Sequence, residues 1–325
     1  MDTEWDCIVV GGGAAGLSAA LVLGRARRRV LVVDAGAQSN LAAHGIGGLL
    51  GHDGRPPAQL YETGREELAE YPTVEVRHGE VVRGDRDGSG GAGFVLTLAD
   101  GTHERTRRVL LASGMEYRMP RLPGLAELWG SSAFHCPFCH GWEMRDQPLA
   151  VLASGDRAVH MALMLRGWTD DVVVLTNGDP IDATQHGQLT AAGVGVDERT
   201  VAEFVSNAGE LTAVAFTDGG RLARRGVLVA SSLHQRSGLA ASLGVETAPL
   251  NPVSEDAVKV DAFHRTSVPG VFAAGDLSAQ LPQVAAAIAG GSMAAAAVVQ
   301  SLLADDFGLP VPPWPMERED ADALA

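Results

Sequence analysis

The sequence predicts an α/β fold made of two successive β-α-β units, and three observations carry that prediction. A short apolar run, Cys7-Ile8-Val9-Val10, passes into Gly11-Gly12-Gly13-Ala14-Ala15-Gly16 and then into a stretch rich in alanine and leucine. A second passage of the same kind begins at Pro148-Leu149-Ala150-Val151-Leu152. Each is followed by another apolar run, Val30 to Val33 and Val172 to Leu175. Short runs that are apolar at every position read as parallel strands covered on both faces, with helices making the crossovers.

Composition bounds what such a chain can do. At 325 residues and 46% hydrophobic content it can bury one large core or two smaller ones, which favours two domains. Forty acids against twenty-five Lys plus Arg leave a net charge of −15, which repels a phosphate backbone and an anionic membrane and excludes nucleic acid as the expected partner. No apolar run of membrane-spanning length is read, and Met1 to Asp6 is acidic where a secretory leader is basic, so the expected setting is cytoplasmic. Three cysteines are too few for a disulfide scaffold, and Cys7, inside a strand run, reads as core.

Taken in order, the first element is the strongest. Gly11 permits a tight turn, Gly13 lets backbone approach a pyrophosphate at the helix N-terminus, and Gly16 allows the helix to pack closely on the strand. Asp34, at the end of the second strand, is placed to accept hydrogen bonds from a ribose. Together these are the fingerprint of a Rossmann-like dinucleotide unit. Arg25, Arg27, Arg28 and Arg29 fall at the C-terminal end of the helix, where cations suit its dipole. The long loop from Gln38 through Asn40, His44 and His52 to Gly54 is of a length that tends to carry function. A helix over Pro57 to Tyr71 is followed by strands at Val74 to Val76, Glu80 to Val82, Gly93 to Ala99 and Arg108 to Ala112. The turns Asp87-Gly88, Gly90-Gly91 and Asp100-Gly101 make these a β-meander. Ala112-Ser113-Gly114 ends it in small residues past which a bound cofactor can lie.

The next signal is Cys136-Pro137-Phe138-Cys139-His140, which fits a redox dithiol, half of a zinc site or a c-type haem attachment. A disulfide at this spacing closes a loop too short to add much stability and is easily reversed, which favours chemistry. In the unit that follows, aligning Gly155 with Gly13 puts Ala153 on Gly11, Ala158 on Gly16 and Thr176 on Asp34. The first glycine and the ribose acid are both missing. Asn177-Gly178-Asp179-Pro180-Ile181-Asp182 supplies no cation for a 2′-phosphate, so a retained scaffold with a poor or absent nicotinamide site is expected. After the strand Gly226 to Ala230 the chain returns to its first domain. Val268-Pro269-Gly270-Val271-Phe272-Ala273-Ala274-Gly275-Asp276 makes a turn, a strand and an acidic end, in which Asp276 suits either a polyol hydroxyl or a helix cap. A small-residue helix runs from Gln283 to Leu303, and the proline-bearing tail from Leu309 is assigned no chemistry.

The glycine turn, the placement of the Cys pair just before a second nucleotide unit, and the Val268 to Asp276 segment together resemble the low-molecular-weight thioredoxin reductases. The resemblance implies two Rossmann-like, three-layer ββα domains and an FAD flavoprotein, usually a homodimer. Residues 1–115 and 238–312 would form a discontinuous FAD domain, 118–235 an inserted nucleotide-binding-like domain carrying the Cys pair, and 313–325 a tail. FAD would be held by Gly11, Gly13, Ala14, Ala15, Gly16, Asp34, Asn40, His44, Gly114, Gly275, Asp276, Gln283 and Val284. The departures, His140 after the second cysteine and the damaged second fingerprint, look like the dithiol oxidases of the same superfamily, which close disulfides in natural products of the holomycin, gliotoxin and depsipeptide kind. These pass electrons from a small dithiol through the Cys pair and flavin to O2, giving hydrogen peroxide. By that resemblance a substrate thiolate attacks Cys136, Cys139 is the flavin-proximal sulfur, and His140 is the base, with His135 a weaker candidate. An NADPH-dependent reductase and a non-catalytic redox sensor are the competing readings.

Overall fold

A computed structural model describes residues 4–88, 93–278 and 282–315, so the Gly90-Gly91 turn and the acidic end of the tail lie outside the described residues. The chain divides into two compact units, one of Met1–Ser39, Ala58–Glu116 and Leu233–Ala325, the other of Asn40–Pro57 and Tyr117–Ser232. The loop that the sequence reading placed wholly with the first unit therefore divides after Ser39, and Asn40–Pro57 belongs with the second.

The first unit begins with β1 (Trp5–Val10), α1 (Ala14–Arg25), β2 (Val30–Asp34), α2 (Pro57–Ala69) and β3 (Val74–His78). Strands β4 (Val81–Arg86), β5 (Phe94–Leu98) and β6 (His103–Leu111) follow. β1 pairs in parallel with β2 and with β6, and β2 with β3. The Val74 strand is thus no part of the meander: α2 carries the chain over as a crossover, and β3 extends the parallel sheet. The meander proper is β4-β5-β6, antiparallel throughout. β6 is long enough to serve both arrangements, its first half pairing with β5 and its second half lying parallel to β1.

The chain leaves this unit through β7 (Met115–Arg118) and enters β8 (Ala133–Phe134), α3 (Pro137–His140), β9 (Leu149–Leu152), α4 (Gly155–Leu165) and β10 (Val172–Leu175). Next come α5 (Ala183–Ala191) and β11 (Gly195–Asp197), then β12 (Val201–Asn207), β13 (Glu210–Phe216), β14 (Arg221–Ala223) and β15 (Gly226–Val229). The parallel order is β11-β10-β9-β15-β8, and β12-β13-β14 form an antiparallel sheet. Strand alternation explains the layering: Leu149, Val151 and Leu228 pack with the α4 side chains Ala158, Met161 and Leu165, whereas Ala150, Leu152, Val227 and Val229 pack with Phe204, Val214 and Phe216 of the antiparallel sheet. Both faces are buried, hence the unbroken apolar runs.

β16 (Ser232–Gln235) leads back to α6 (Leu239–Ser242), β17 (Val271–Ala273) and α7 (Val284–Phe307) in the first unit. β17 lies parallel to β6. α7 runs longer than the sequence reading gave it and, at 24 residues, is apolar enough to cross a membrane by length and composition, which corrects the expectation that no such run exists. Its Ala294, Ala295, Val298 and Leu302 are fully buried in one cluster with Leu23 of α1, as a core helix requires. Gly291 lies against the Ala15 carbonyl, and Ser18 Oγ donates to the Ile288 carbonyl at 2.9 Å, so the small residues of α7 let two helices meet at backbone distance.

Candidate active site

In the first unit the carboxyl ends of β1, β2, β6 and β17 share one edge of the parallel sheet, where ligands of open α/β sheets bind. The ladder continues just past the strands: Gly11 N–H donates to the Val33 carbonyl (2.8 Å), Ala112 N–H to Val10 (2.8 Å) and Ala274 N–H to Leu111 (2.9 Å). This brings the Gly11–Gly16 turn, Asp34, Gly114 and the Gly275-Asp276 segment to one place. Gly11 takes a φ of +109°, and an added Cβ would meet the Ala112 carbonyl carbon at 2.7 Å, so only glycine fits. A Cβ at Gly114 would meet nothing within 4 Å, and one at Gly13 only Gln38 Cγ at 3.7 Å. α1 starts with no side-chain cap and no acid in its first turn, leaving the amides of Ala14, Ala15 and Gly16 to face an anion. Glycine backbone facing open space beside an uncapped helix start suits the pyrophosphate of FAD. Gln283 is the N-cap of α7 and Val284 its first residue.

Gln38, in the loop after the second strand, is a further site residue. Its Nε2 donates to both oxygens of Asp34 (3.2 and 3.1 Å) and to the Gly12 carbonyl (3.2 Å), tying the acid to the turn. The signal was its spacing, four residues beyond the acid. Asn40 and His44, expected with the glycine turn, group instead with the second unit.

In the second unit Cys136 and Cys139 form a disulfide, with Cα atoms 5.3 Å apart. The pair is positioned by β8, which lies parallel to β15, so Cys136 emerges at the carboxyl edge of that sheet and starts the single turn of α3. The Gly47 backbone packs on that of Cys139, and Gly141 packs on the Trp168 indole, which Phe138 also meets edge-on at 5.5 Å. Of the two sulfur-bearing residues, Cys136 is buried and Cys139 partly exposed.

His140 is not the surface residue that a helix start would suggest. Its ring stacks on Phe134 (5.7 Å, 19°), and both ring nitrogens are buried with no hydrogen-bond partner among the described residues. The backbone of Gly130 and of Cys136 lies close enough to favour the protonated ring. Burial holds its pKa below the ordinary 6.5, against the pull of Glu143, and nearby His44 adds to the depression. His140 is therefore a neutral imidazole able to accept a proton. His135 lies between Tyr117 (4.4 Å) and Trp129 (5.7 Å), and burial, with His140 adding, pushes it down to about 4. Cys7 is fully buried, and burial raises its thiol pKa.

The second nucleotide turn is built differently from the first. Ala153 N–H donates to the Leu175 carbonyl at 3.3 Å, as Gly11 does to Val33, which bears out the strand alignment. The first helical bond, however, runs from Leu17 to Gly13 in α1 and from Ala158 to Ser154 in α4. The turn is thus one residue shorter, and Ala158 stands where Leu17 stands rather than where Gly16 does. The positive φ, +57°, has moved to Gly155, the first residue of α4. Asp156 puts a carboxylate in the first turn of α4, held by Gln185 Nε2 at 2.9 Å. Thr176, at the position of the ribose acid, is buried with no partner for its hydroxyl among the described residues.

Residues 5–291 match the family model of the pyridine nucleotide-disulphide oxidoreductases. The chain is 33% identical over 314 residues to thioredoxin reductase tcpT of Claviceps purpurea, covering 92% of this chain and 95% of that one. It is 30% identical to thioredoxin reductase aclD of Aspergillus oryzae, over 93% and 98% of the two chains. Among solved structures, HlmI superposes with a TM-score of 0.88 at 38% identity, covering 99% of this chain and 98% of that one. An oxidoreductase from Agrobacterium tumefaciens superposes at 0.85 and 36% identity, over 93% and 99%.

Proposed function

Because this chain belongs to the pyridine nucleotide-disulphide oxidoreductase family, whose thioredoxin-reductase-type members are FAD-binding flavoproteins, we propose that it closes a disulfide in a small-molecule dithiol, with O2 as final acceptor and hydrogen peroxide as product. One observation carries the direction of electron flow: a redox-active Cys pair shares its unit with a nucleotide turn that is shortened, acidic and without its ribose acid. Such a turn is poorly suited to deliver hydride from NADPH. Homodimerisation and a cytoplasmic setting belong to the same reading and rest on the resemblance and the sparse cysteines.

FAD would be held by Gly11, Gly13 and the amides of Ala14, Ala15 and Gly16, with Asp34 for the ribose and Gly114, Gly275, Asp276, Gln283 and Val284 along the rest. The bound flavin supplies the two-electron chemistry that connects thiols to oxygen. The chain's own groups do the rest. A substrate thiolate attacks Cys136 Sγ, forming a mixed disulfide as the Cys136–Cys139 bond breaks and Cys139 leaves as thiolate. The second substrate thiolate displaces Cys136, and the substrate departs as a cyclic disulfide, two electrons poorer. His140, neutral at the outset, accepts a substrate proton as the sulfur attacks. Asn40 and His44, by the resemblance further FAD ligands, lie on the segment whose Gly47 packs against Cys139.

The names of the curated relatives favour a second reading, an NADPH-driven disulfide reductase. Anaerobic mixing separates the two. A small dithiol is expected to bleach the flavin and NADPH to leave it yellow, with air restoring the colour and forming peroxide; efficient bleaching by NADPH would reverse the assignment. Cys139→Ser should stop bleaching by the dithiol, and its lone Cys136 thiolate should be trapped as a mapped mixed disulfide when a disulfide-bonded analogue of the substrate is supplied, since no second enzyme sulfur remains to displace it.

A further inference from the structure

A cavity of about 360 Å3 lies within the first unit, opening where β17 begins, whereas the glycine cradle lies where β17 ends. Three guanidiniums meet there, in a chain whose net charge is −15. Arg108, 6% exposed, is fixed by the Ser301 hydroxyl (2.9 Å), the Ser301 carbonyl (3.1 Å) and Asp305. Arg265, 5% exposed, pairs with Asp261, donates to the Pro312 carbonyl (2.8 Å) and lies against Phe263 (5.2 Å) and Trp314 (5.1 Å). Trp314 is held in turn by its Nε1 hydrogen bond to the Thr266 carbonyl (2.8 Å) and by its edge-on contact with Phe272 (5.4 Å).

Arg86 differs from the other two. It lies over the Phe94 ring at 5.3 Å, and its one hydrogen bond among the described residues is a long one, 3.3 Å to the Pro269 carbonyl. Among the described residues the cluster therefore sets three cations against two carboxylates, with the surplus charge at the exposed guanidinium and an apolar wall of aromatic rings and prolines beside it. A neutral ligand would cover that charge without pairing it, which costs free energy. A carboxylate matches the guanidinium fork, and an aromatic ring matches the wall.

We propose that this cavity binds a small aromatic carboxylate, its anionic end on Arg86 and its ring against Phe263 and Trp314. The volume is at the small end of the range for ligand sites, which suits one or two rings.

Titration calorimetry on the FAD-loaded full chain tests this, with sodium benzoate as probe and benzyl alcohol and inorganic phosphate as controls. Benzoate is expected to bind saturably, one per chain. Losing a charge-assisted contact should weaken it at least about tenfold in Arg86→Gln, and each control should bind weaker by a similar factor. Phe263→Ala, at a 43% exposed side chain, should weaken benzoate and leave phosphate unmoved. Flavin content and unfolding midpoint, unchanged in both variants, show that the fold is kept. Absence of saturable benzoate binding, or equal binding by Arg86→Gln, overturns the site. Equally tight benzyl alcohol removes the anion from the assignment, and equally tight phosphate removes the ring.

Discussion

The two β-α-β units have the same strand ladder and different turns. β1 with β2 and β9 with β10 keep the same register, down to the amide that bonds one residue past the strand, Gly11 in one and Ala153 in the other. What differs is three glycines against Ala153-Ser154-Gly155, an acid-free helix start against Asp156, and Asp34 against a buried Thr176. The ladder is maintained by burial on both faces and does not depend on a ligand. The first turn makes no such contribution to the core and the second only through Ala153, so the chemistry of the turn follows what the site is for. Two units with one architecture can thus carry a cofactor cradle in one case and a reactive dithiol in the other.

The largest expected effect breaks the first turn. Gly11→Val, at φ +109° and against the Ala112 carbonyl, should cost at least about 3 kcal/mol in denaturant unfolding and yield protein without yellow colour. Ala153→Gly, at the matching position, should stay within about 1 kcal/mol with full flavin content. If the Gly11 variant keeps its flavin, the cradle is misassigned.

A middle-sized effect sharpens the role of the second unit. His140→Ala is expected to slow anaerobic flavin reduction by a dithiol about 100-fold. The neutral ring is the active form and burial holds its pKa below 6.5, so the acid limb that this base contributes should be centred below 6.5. Stopped-flow rates across pH read both, and an acid limb centred above 6.5 counts against this base.

The last effect is on stability and appears only in acid. His135 titrates at about 4 in the folded chain and near 6.5 when unfolded, so between those values the unfolded state holds the extra proton and stability falls as pH falls. The full loss amounts to roughly 3 kcal/mol by pH 4. His135→Phe, which can keep the stacking between Tyr117 and Trp129, should flatten that part of the urea-midpoint profile; an unchanged slope there assigns the acid sensitivity elsewhere.

Much of this was legible in the residues. The strands announced themselves because burial on two faces demands unbroken apolar runs, and Gly11, Gly16 and Asp34 did because a close turn tolerates few side chains. The Cys136-x-x-Cys139 spacing named a dithiol but left its partners open. The burial of the His140 nitrogens, the Gln38 clamp on Asp34 and the contact of Gly47 with Cys139 depend on how loops fold back, and no local pattern encodes that. The one-residue shortening before α4 was hidden for a related reason: a gapless alignment keeps strands and helix in one register, while the structure holds only the strands. The apolar length of α7 was obscured by its many alanines and glycines, which are small enough to pack helix on helix.

The complete burial of Cys7 in β1 gives the chain a thiol count that depends on its state. With the Cys136–Cys139 bond reduced, the partly exposed Cys139 is open to an alkylating reagent in the native protein, whereas Cys7 reacts only after the central sheet of the first unit opens. Mass-resolved labelling therefore reads the redox state of the site and the unfolding of the neighbouring unit in one spectrum, with no probe added.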